Sequence, residues 1–404
     1  MLSAETQLLN QTDENSYTHL IAREMRIEDI TVGSARQPFL VRYRGELYGD
    51  SAEAYDRLAE SLRPLNVTPL FRIEEGRHTI LLMQGVINPS RSNPWVNVLL
   101  FVLTLMSMIF SGALQSFQMP AQGGLLESLL SSIWSGLPFA VSLLAILLAH
   151  EFGHYLAGRY HRTHVTLPYF IPFPLSPFGT LGAFIQLKEP PRNRRVLLDI
   201  GVAGPLAGLV VAIPVLLLGL SLSELSVIEI PGPGQGIQLE GNSVLYLLSK
   251  YLVFGQLLPT PESYGGLSPA AYWIRYFFTG QPLPLGGVDV MIHPVAFAGW
   301  AGLLVTALNL IPAGQLDGGH LLYVLLGRRV RSLLPFILVA LVLLGFVWSG
   351  WWLWALIIFF LGRLHAEPLD QITQLDPPRK VVAALGLIIF FLVFTPVPLV
   401  IAMG

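Results

Sequence analysis

His150, Glu151 and His154 fall within five residues of one another, in the order H-E-x-x-H. On a helix, side chains four residues apart share a face and stand about 6 Å apart along the axis. Two imidazoles so placed suit two positions around one tetrahedral zinc ion, and the glutamate between them can take a proton from an attacking water. These three are the only acidic, basic or histidine side chains in residues 133–155, a stretch apolar enough to cross a bilayer. An ionisable side chain in a membrane span is costly and marks a functional site by default. The bland alternative is a chance surface helix, because the motif is short. It would leave two imidazoles and a carboxylate in hydrocarbon without a partner, an objection that a metal removes.

A third ligand has to come from elsewhere in the chain. The sequence has no cysteine, so disulfides and thiolate sites are excluded and a metal must be held by histidine and carboxylate. The best candidate is Asp317, in the stretch Asn309-Leu310-Ile311-Pro312-Ala313-Gly314-Gln315-Leu316-Asp317-Gly318-Gly319-His320, which follows the apolar segment 294–310. On these two stretches the chain resembles the site-2 protease family of intramembrane zinc metalloproteases. That family pairs H-E-x-x-H on one transmembrane helix with N-x-x-P-x-x-x-L-D-G on a later one, and both motifs are complete here in that order. The resemblance covers about residues 133–327. It implies one zinc ion per chain, held by His150, His154 and Asp317, with Glu151 as the catalytic carboxylate. No PDZ insertion is evident and a soluble N-terminal domain precedes the core, as in the cyanobacterial and plastid branch. That likeness implies a bacterial plasma membrane or a thylakoid or plastid membrane.

The elements that must carry these residues are set by composition. Of 404 residues, 53% are hydrophobic and 12% charged, and mean hydropathy is +0.59. A soluble domain carries about 25% charged residues. The expected fold class is therefore an α-helical polytopic membrane protein of about seven transmembrane helices with a small N-terminal α+β soluble domain. A net charge of −2 argues against a nucleic-acid partner; the composition implies contact with the lipid bilayer, and the family resemblance implies transmembrane protein substrates. The polar start, mixed in charge, shows no basic region followed by an apolar one, so no cleavable signal or transit peptide is expected.

The expected domains are a polar tail over 1–25, a soluble domain over 26–92 and a transmembrane domain over 93–404, with its catalytic core at about 133–327. In the soluble domain, residues 39–43, 67–73 and 79–83 read as strands, with a turn at Glu75-Gly76. Asp50 and Glu53 have capping-box form and open a helix with Tyr55, Leu58, Ala59 and Leu62 on one face, so the pattern is βαββ. Spans are expected at 96–114, 133–158, 196–220, 293–310, 333–348, 351–364 and 381–403. The fifth and sixth are either a tight hairpin or one long broken helix.

Loop charges orient this array. Arg159, Arg162, Lys188, Arg192, Arg194 and Arg195 follow the second span; Arg328, Arg329 and Arg331 follow the fourth; Arg363, Arg379 and Lys380 precede the last. Seven spans put all of these on the cytoplasmic side, with the N-terminal domain. Residues 115–132 lack Lys and Arg, and 221–291 hold Lys250 and Arg275 against Glu224, Glu229, Glu240, Glu262 and Asp289, so both loops lie outside. His150 and Asp317 then meet at one depth, towards the cytoplasmic surface.

Residues 167–187 contain four prolines yet are too apolar for an aqueous loop, which suggests a re-entrant or membrane-skimming segment. Within it, 182–187 can form an edge strand. A similarly placed stretch lines the cleft in the family, and a substrate can pair with such an edge by β-augmentation at Gly182, Ala183 and Phe184. A surface loop that merely closes a connection fits equally. Gly201, Gly204, Pro205 and Gly208 suit close helix packing first and groove lining second. Asn309 is either a helix-end cap or, as the resemblance favours, a donor to the scissile carbonyl. Gly318 and Gly319 leave room for close approach near Asp317. His320 reads as a neighbour of the ligands rather than a fourth one, His161 and His164 as solvated, and His293 and His365 as structural. Two other functions were open: a metal transporter, which would spread polar residues through several depths, and an inactive scaffold, against which Glu151 stands.

Overall fold

The computed structural model describes residues 17–34, 37–90, 92–116, 125–228, 236–280, 287–362 and 367–403. Arg363, His365 and most of the 1–25 tail lie outside the described residues. After a helical turn at residues 17–21 come strands β1 (Met25–Val32) and β2 (Val41–Leu47), helix α1 (Ser51–Leu62), and strands β3 (Val67–Glu74) and β4 (Arg77–Gln84). They form one antiparallel sheet of order β1-β2-β4-β3. The expected βαββ pattern is thus corrected to ββαββ. β1 escapes the sequence because Arg26, Glu28 and Asp29 interrupt its apolar alternation, as an edge strand tolerates. Asp50 caps α1 through its side chain, accepting from Ala52 N at 2.9 Å and Glu53 N at 3.4 Å. Ala54, Tyr55, Leu58 and Leu62 are buried on the sheet side. The Glu75-Gly76 turn has positive φ at both residues, 52° and 79°. The core of this unit also includes Tyr17, Ile21 and, from far along the chain, Ile372.

That last contact belongs to a larger junction. Phe71 N donates to Leu369 O at 2.9 Å and Gln371 N to Phe71 O at 3.1 Å; on the other flank, Leu369 N donates to Pro191 O at 2.9 Å and Asp370 N to Arg192 O at 2.7 Å. Residues 369–371 therefore lie between β3 and residues 191–193, bonded to both. Burial pushes the Asp370 carboxyl above its ordinary range, and its Oδ1 accepts from the Ile372 and Thr373 backbone N–H groups at 2.7 and 3.2 Å.

Next come α2 (Pro94–Ser116), α3 (Leu125–Tyr160), the strands β5 (Tyr169–Pro172) and β6 (Thr180–Phe184), and α4 (Arg194–Ser221). Strands β7 (Glu224–Val227) and β8 (Gly236–Glu240), helices α5 (Val244–Phe254) and α6 (Pro269–Thr279), and strand β9 (Val288–Met291) lead to α7 (Pro294–Asn309). The chain closes with α8 (Asp317–Leu326), α9 (Val330–Gly345), α10 (Gly350–Leu361), α11 (Pro377–Val393) and β10 (Leu399–Met403). Among the described residues, Pro94–Gln115, Ser132–Tyr160 and Arg194–Ser221 are long and apolar enough to cross a membrane. α7, with 16 residues, reaches about 24 Å, short of a ~30 Å hydrocarbon core.

Of the two alternatives for the fifth and sixth spans, the hairpin is the one found, and the last span is changed. α9 and α10 form a tight hairpin, closed where Trp352 packs on Phe346 and its Nε1 donates to Val342 O at 3.2 Å. The expected span 381–403 is helical only to Val393, because Pro396 and Pro398 cannot continue a helix; β10 pairs instead with β8. The proline-rich stretch 167–187 is an antiparallel ribbon, β5 with β6. It lies against α2, where Ser107 Oγ donates to Gly179 O at 2.6 Å, Ser111 Oγ to Pro177 O at 2.8 Å and Asn97 Nδ2 to Pro168 O at 3.0 Å. Hydroxyl and amide donors on an apolar helix thus satisfy carbonyls that the prolines leave unpaired.

α4 packs between α3 and α7 at backbone distance. A Cβ on Gly153 of α3 would stand 2.4 Å from Ala203 O, and one on Gly299 of α7 would stand 2.6 Å from Leu216 Cα. Gly299→Val is expected to force α7 away from α4 and destabilise the protein by about 1–3 kcal/mol. A lower Tm of the variant in detergent checks this, and an unchanged Tm would contradict the packing.

Candidate metal centre

α3 carries His150 and His154 one turn apart, and both are buried, at 3% and 7% exposure. Asp317 is the first residue of α8, 163 positions after His154 in sequence but beside it in space. The Nε2 atoms of His150 and His154 are 3.2 Å apart, and each is 3.3 Å from Asp317 Oδ2. These are the edges of a near-equilateral triangle. A tetrahedron with metal–ligand bonds of about 2.0–2.1 Å has edges of about 3.3 Å, so the three atoms match three corners for zinc. Among the described residues, this is the group of His and carboxylate side chains close enough to hold a metal.

The neighbours make the same case. His154 Nδ1 donates to Ile200 O of α4 at 2.7 Å, which fixes the ring orientation and leaves Nε2 unprotonated to face the triangle. α4 presents glycines to both rings. A Cβ on Gly204 would stand 2.0 Å from His154 Nε2, and one on Gly208 would stand 3.2 Å from His150 Cβ. The small residues expected to serve helix packing thus pack on the ligands themselves.

Asp317 is delivered by a turn that glycine permits. Gly314 has φ +59°, and a Cβ there would stand 2.8 Å from Gly362 Cα. A Cβ on Gly318 would stand 1.9 Å from Leu310 O, and one on Gly319 would stand 2.4 Å from Gly314 O. The chain folds back on itself between Pro312 and α8 so tightly that side chains at these positions have no room. At the end of α7, Asn309 Nδ2 lies 3.3 Å from His150 Nε2.

Glu151 is buried at 4% exposure and lines a cavity of about 750 Å³ with both histidines and Asp317. Residues 183–187 line the same cavity. Ala183 and Phe184 therefore border the site, whereas Gly182, with φ +99°, precedes the lining. His320 also lines the cavity, over Gly201, outside the triangle. His293 caps α7, its Nδ1 accepting from Val295 N at 3.2 Å, and His164 is paired with Glu189 at 2.9 Å.

His161 is a correction. Its side chain is 17% exposed, and Nε2 lies 2.9 Å from Asp199 Oδ2. Arg379 of α11 holds the same carboxylate through Nε at 2.8 Å and Nη2 at 2.7 Å. Asp199 adjoins Ile200, so this ion group ties the end of α3, α4 and α11 together beside the carbonyl that orients His154. The sequence offered no signal for it, because 180 residues separate Asp199 from Arg379.

The profile of Peptidase family M50 matches residues 138–348, which contain all of these cavity residues. Among curated proteins, the chain is 30% identical to the "Probable zinc metalloprotease EGY1, chloroplastic" of Oryza sativa subsp. japonica, over 98% of this chain and 68% of the relative. It is 30% identical to the protein of the same name in Arabidopsis thaliana, over 78% of this chain and 56% of the relative. It is likewise 30% identical to the "Probable zinc metalloprotease EGY2, chloroplastic" of Oryza sativa subsp. indica, over 64% of this chain and 42% of the relative. The chain thus spans about two thirds to two fifths of these relatives' lengths. No solved structure matches it.

Gly204→Ala places a methyl group where the His154 imidazole stands. The variant is expected to purify with well under half the zinc per chain of the parent. Metal analysis of the two proteins checks this, and full zinc occupancy in the variant would contradict the role given to Gly204.

Proposed function

Because this chain belongs to peptidase family M50, and so is a zinc metalloprotease, we propose that it hydrolyses peptide bonds in or beside transmembrane segments of membrane proteins. The observation that carries this reading is the triangle of His150, His154 and Asp317, buried between apolar helices and opening onto a cavity bordered by β6. Zinc, when bound, supplies Lewis acidity that activates water near neutral pH and polarises a carbonyl.

The chain's own residues take the other roles. Glu151, between the two ligands, accepts the proton of the attacking water and passes it to the leaving amine. Asn309, one side chain away from His150, donates its amide N–H to the oxyanion of the scissile carbonyl. A transmembrane substrate is helical and its carbonyls are shielded, so it must unwind before cleavage. The β6 edge at Gly182, Ala183 and Phe184 offers backbone partners to the unwound stretch. β6 pairs with β5 on one side only, and β-augmentation on the other would lead the substrate along residues 183–187 into the cavity.

In this reading, residues 26–92 form the soluble domain and 93–404 the membrane domain. With about seven spans the metal would lie towards the cytoplasmic surface; the arginines of 159–195 and 328–331 support that side. The relatives' printed location supports a plastid or thylakoid membrane. The substrates are single-span membrane proteins.

Glu151→Gln is expected to keep its zinc and to lose cleavage of a transmembrane substrate reconstituted in detergent or liposomes. Asn309→Ala is expected to slow cleavage by about 10²–10³-fold with zinc retained. Undiminished cleavage by Glu151→Gln would overturn its assignment as the base. Chelator-sensitive zinc flux through proteoliposomes, without proteolysis, would favour transport instead.

A further inference from the structure

A second cavity, of about 160 Å³, lies at the junction between the N-terminal sheet and the membrane helices. It is lined by Ile73 of β3, Arg194 at the start of α4, Tyr323 of α8, Gly327, Arg328 and Gln371. The charges around it do not balance. Arg72, Arg194, Arg328 and Arg331 face two carboxylates, Glu367 and Asp370. Glu367 is shared by Arg331 at 2.8 Å and Arg328 at 3.8 Å and also accepts from Gln371 Nε2 at 2.8 Å. Asp370 is taken up by the backbone N–H groups of Ile372 and Thr373.

Arg72 and Arg194 have no carboxylate within 4.0 Å among the described residues. Arg72 Nη1 is committed to the carbonyls of Phe71, Pro368 and Leu369, and burial pushes its pKa down. Arg194 Nη2 donates to Val324 O, while Nε is buried and has no hydrogen-bond partner. Tyr323 lines the cavity beside Arg194 and Arg328, and Glu367 contributes negative charge near its hydroxyl. Half-buried guanidiniums with no carboxylate in direct contact are costly. Their planar forks match tetrahedral oxyanions, which accept several charge-assisted hydrogen bonds at once.

We propose that this cavity binds a phosphate group, held by Arg194 and Arg328 beside Tyr323. Its two possible sources are a phospholipid headgroup and a soluble phosphate. The first is placed to reach it, because α4 begins at Arg194 and runs on as a 28-residue apolar helix, and basic pockets at such helix ends attract anionic headgroups. Since β3 and residue 371 also border the cavity, the bound phosphate would add a bridge between the N-terminal sheet and the helices. None of this depends on proteolysis.

Binding is read on the full-length protein in detergent by two measurements. Equilibrium dialysis with labelled inorganic phosphate, at constant ionic strength set with chloride, tests the soluble source. Native mass spectrometry with added phosphatidylglycerol, against phosphatidylcholine of the same chains, tests the headgroup. One bound equivalent is expected in at least one arm, and the arm identifies the source. Arg328→Gln, at a side chain 58% exposed and away from the packed interior, should weaken that binding by about tenfold; Arg194→Gln should do the same. Absence of binding in both arms overturns the proposal, as does binding that both variants leave unchanged.

Discussion

Two imidazoles and two carboxylates stand enclosed among apolar helices, where a polar group without a partner costs several kcal/mol. The architecture around them follows from meeting that demand at close range. α3 can present His150 and His154 only if α4 comes within backbone distance, and Gly204 and Gly208 allow it. α4 then supplies the Ile200 carbonyl that turns one ring. α7 must approach α4 as closely, through Gly299, to bring Asn309 and the turn to Asp317 against the same rings. Each close approach leaves no space for a Cβ, so the small residues along these helices are consequences of where the ligands must meet.

Much of the candidate site is legible in the sequence. H-E-x-x-H carries its own geometry, because helical periodicity fixes how two histidines four apart are placed. Asp317 was legible from its Asn309-to-Gly318 surroundings. A strand in the proline-rich stretch is one of two readings, beside a surface loop, and it forms at 180–184 rather than at 182–187. What escaped shares one property: it is made by backbone atoms or by charges distant in sequence. The Ile200 carbonyl has no side-chain signature. Asp199, His161 and Arg379 form one ion group from three separate elements, and His161 alone looks like any basic loop residue.

The same limit applies to secondary structure. β1 was missed because its exposed edge tolerates charge, and β10 because five apolar residues after two prolines resemble the end of a span. In β10 the deciding factor is a partner, β8, more than 150 residues earlier. Composition reports that a segment avoids water; it does not report whether the segment's backbone is satisfied within itself or by another strand.

Residues 369–371 show what such pairing entails. With hydrogen bonds to β3 on one flank and to residues 191–193 on the other, this short run is riveted between two bodies. The rows of the rivet are backbone, and Arg72 adds donors to the Pro368 and Leu369 carbonyls. The sheet's detachment from the helices should therefore be cooperative, shearing both rows in one event, and it would release the stretch that leads directly from β6 into α4.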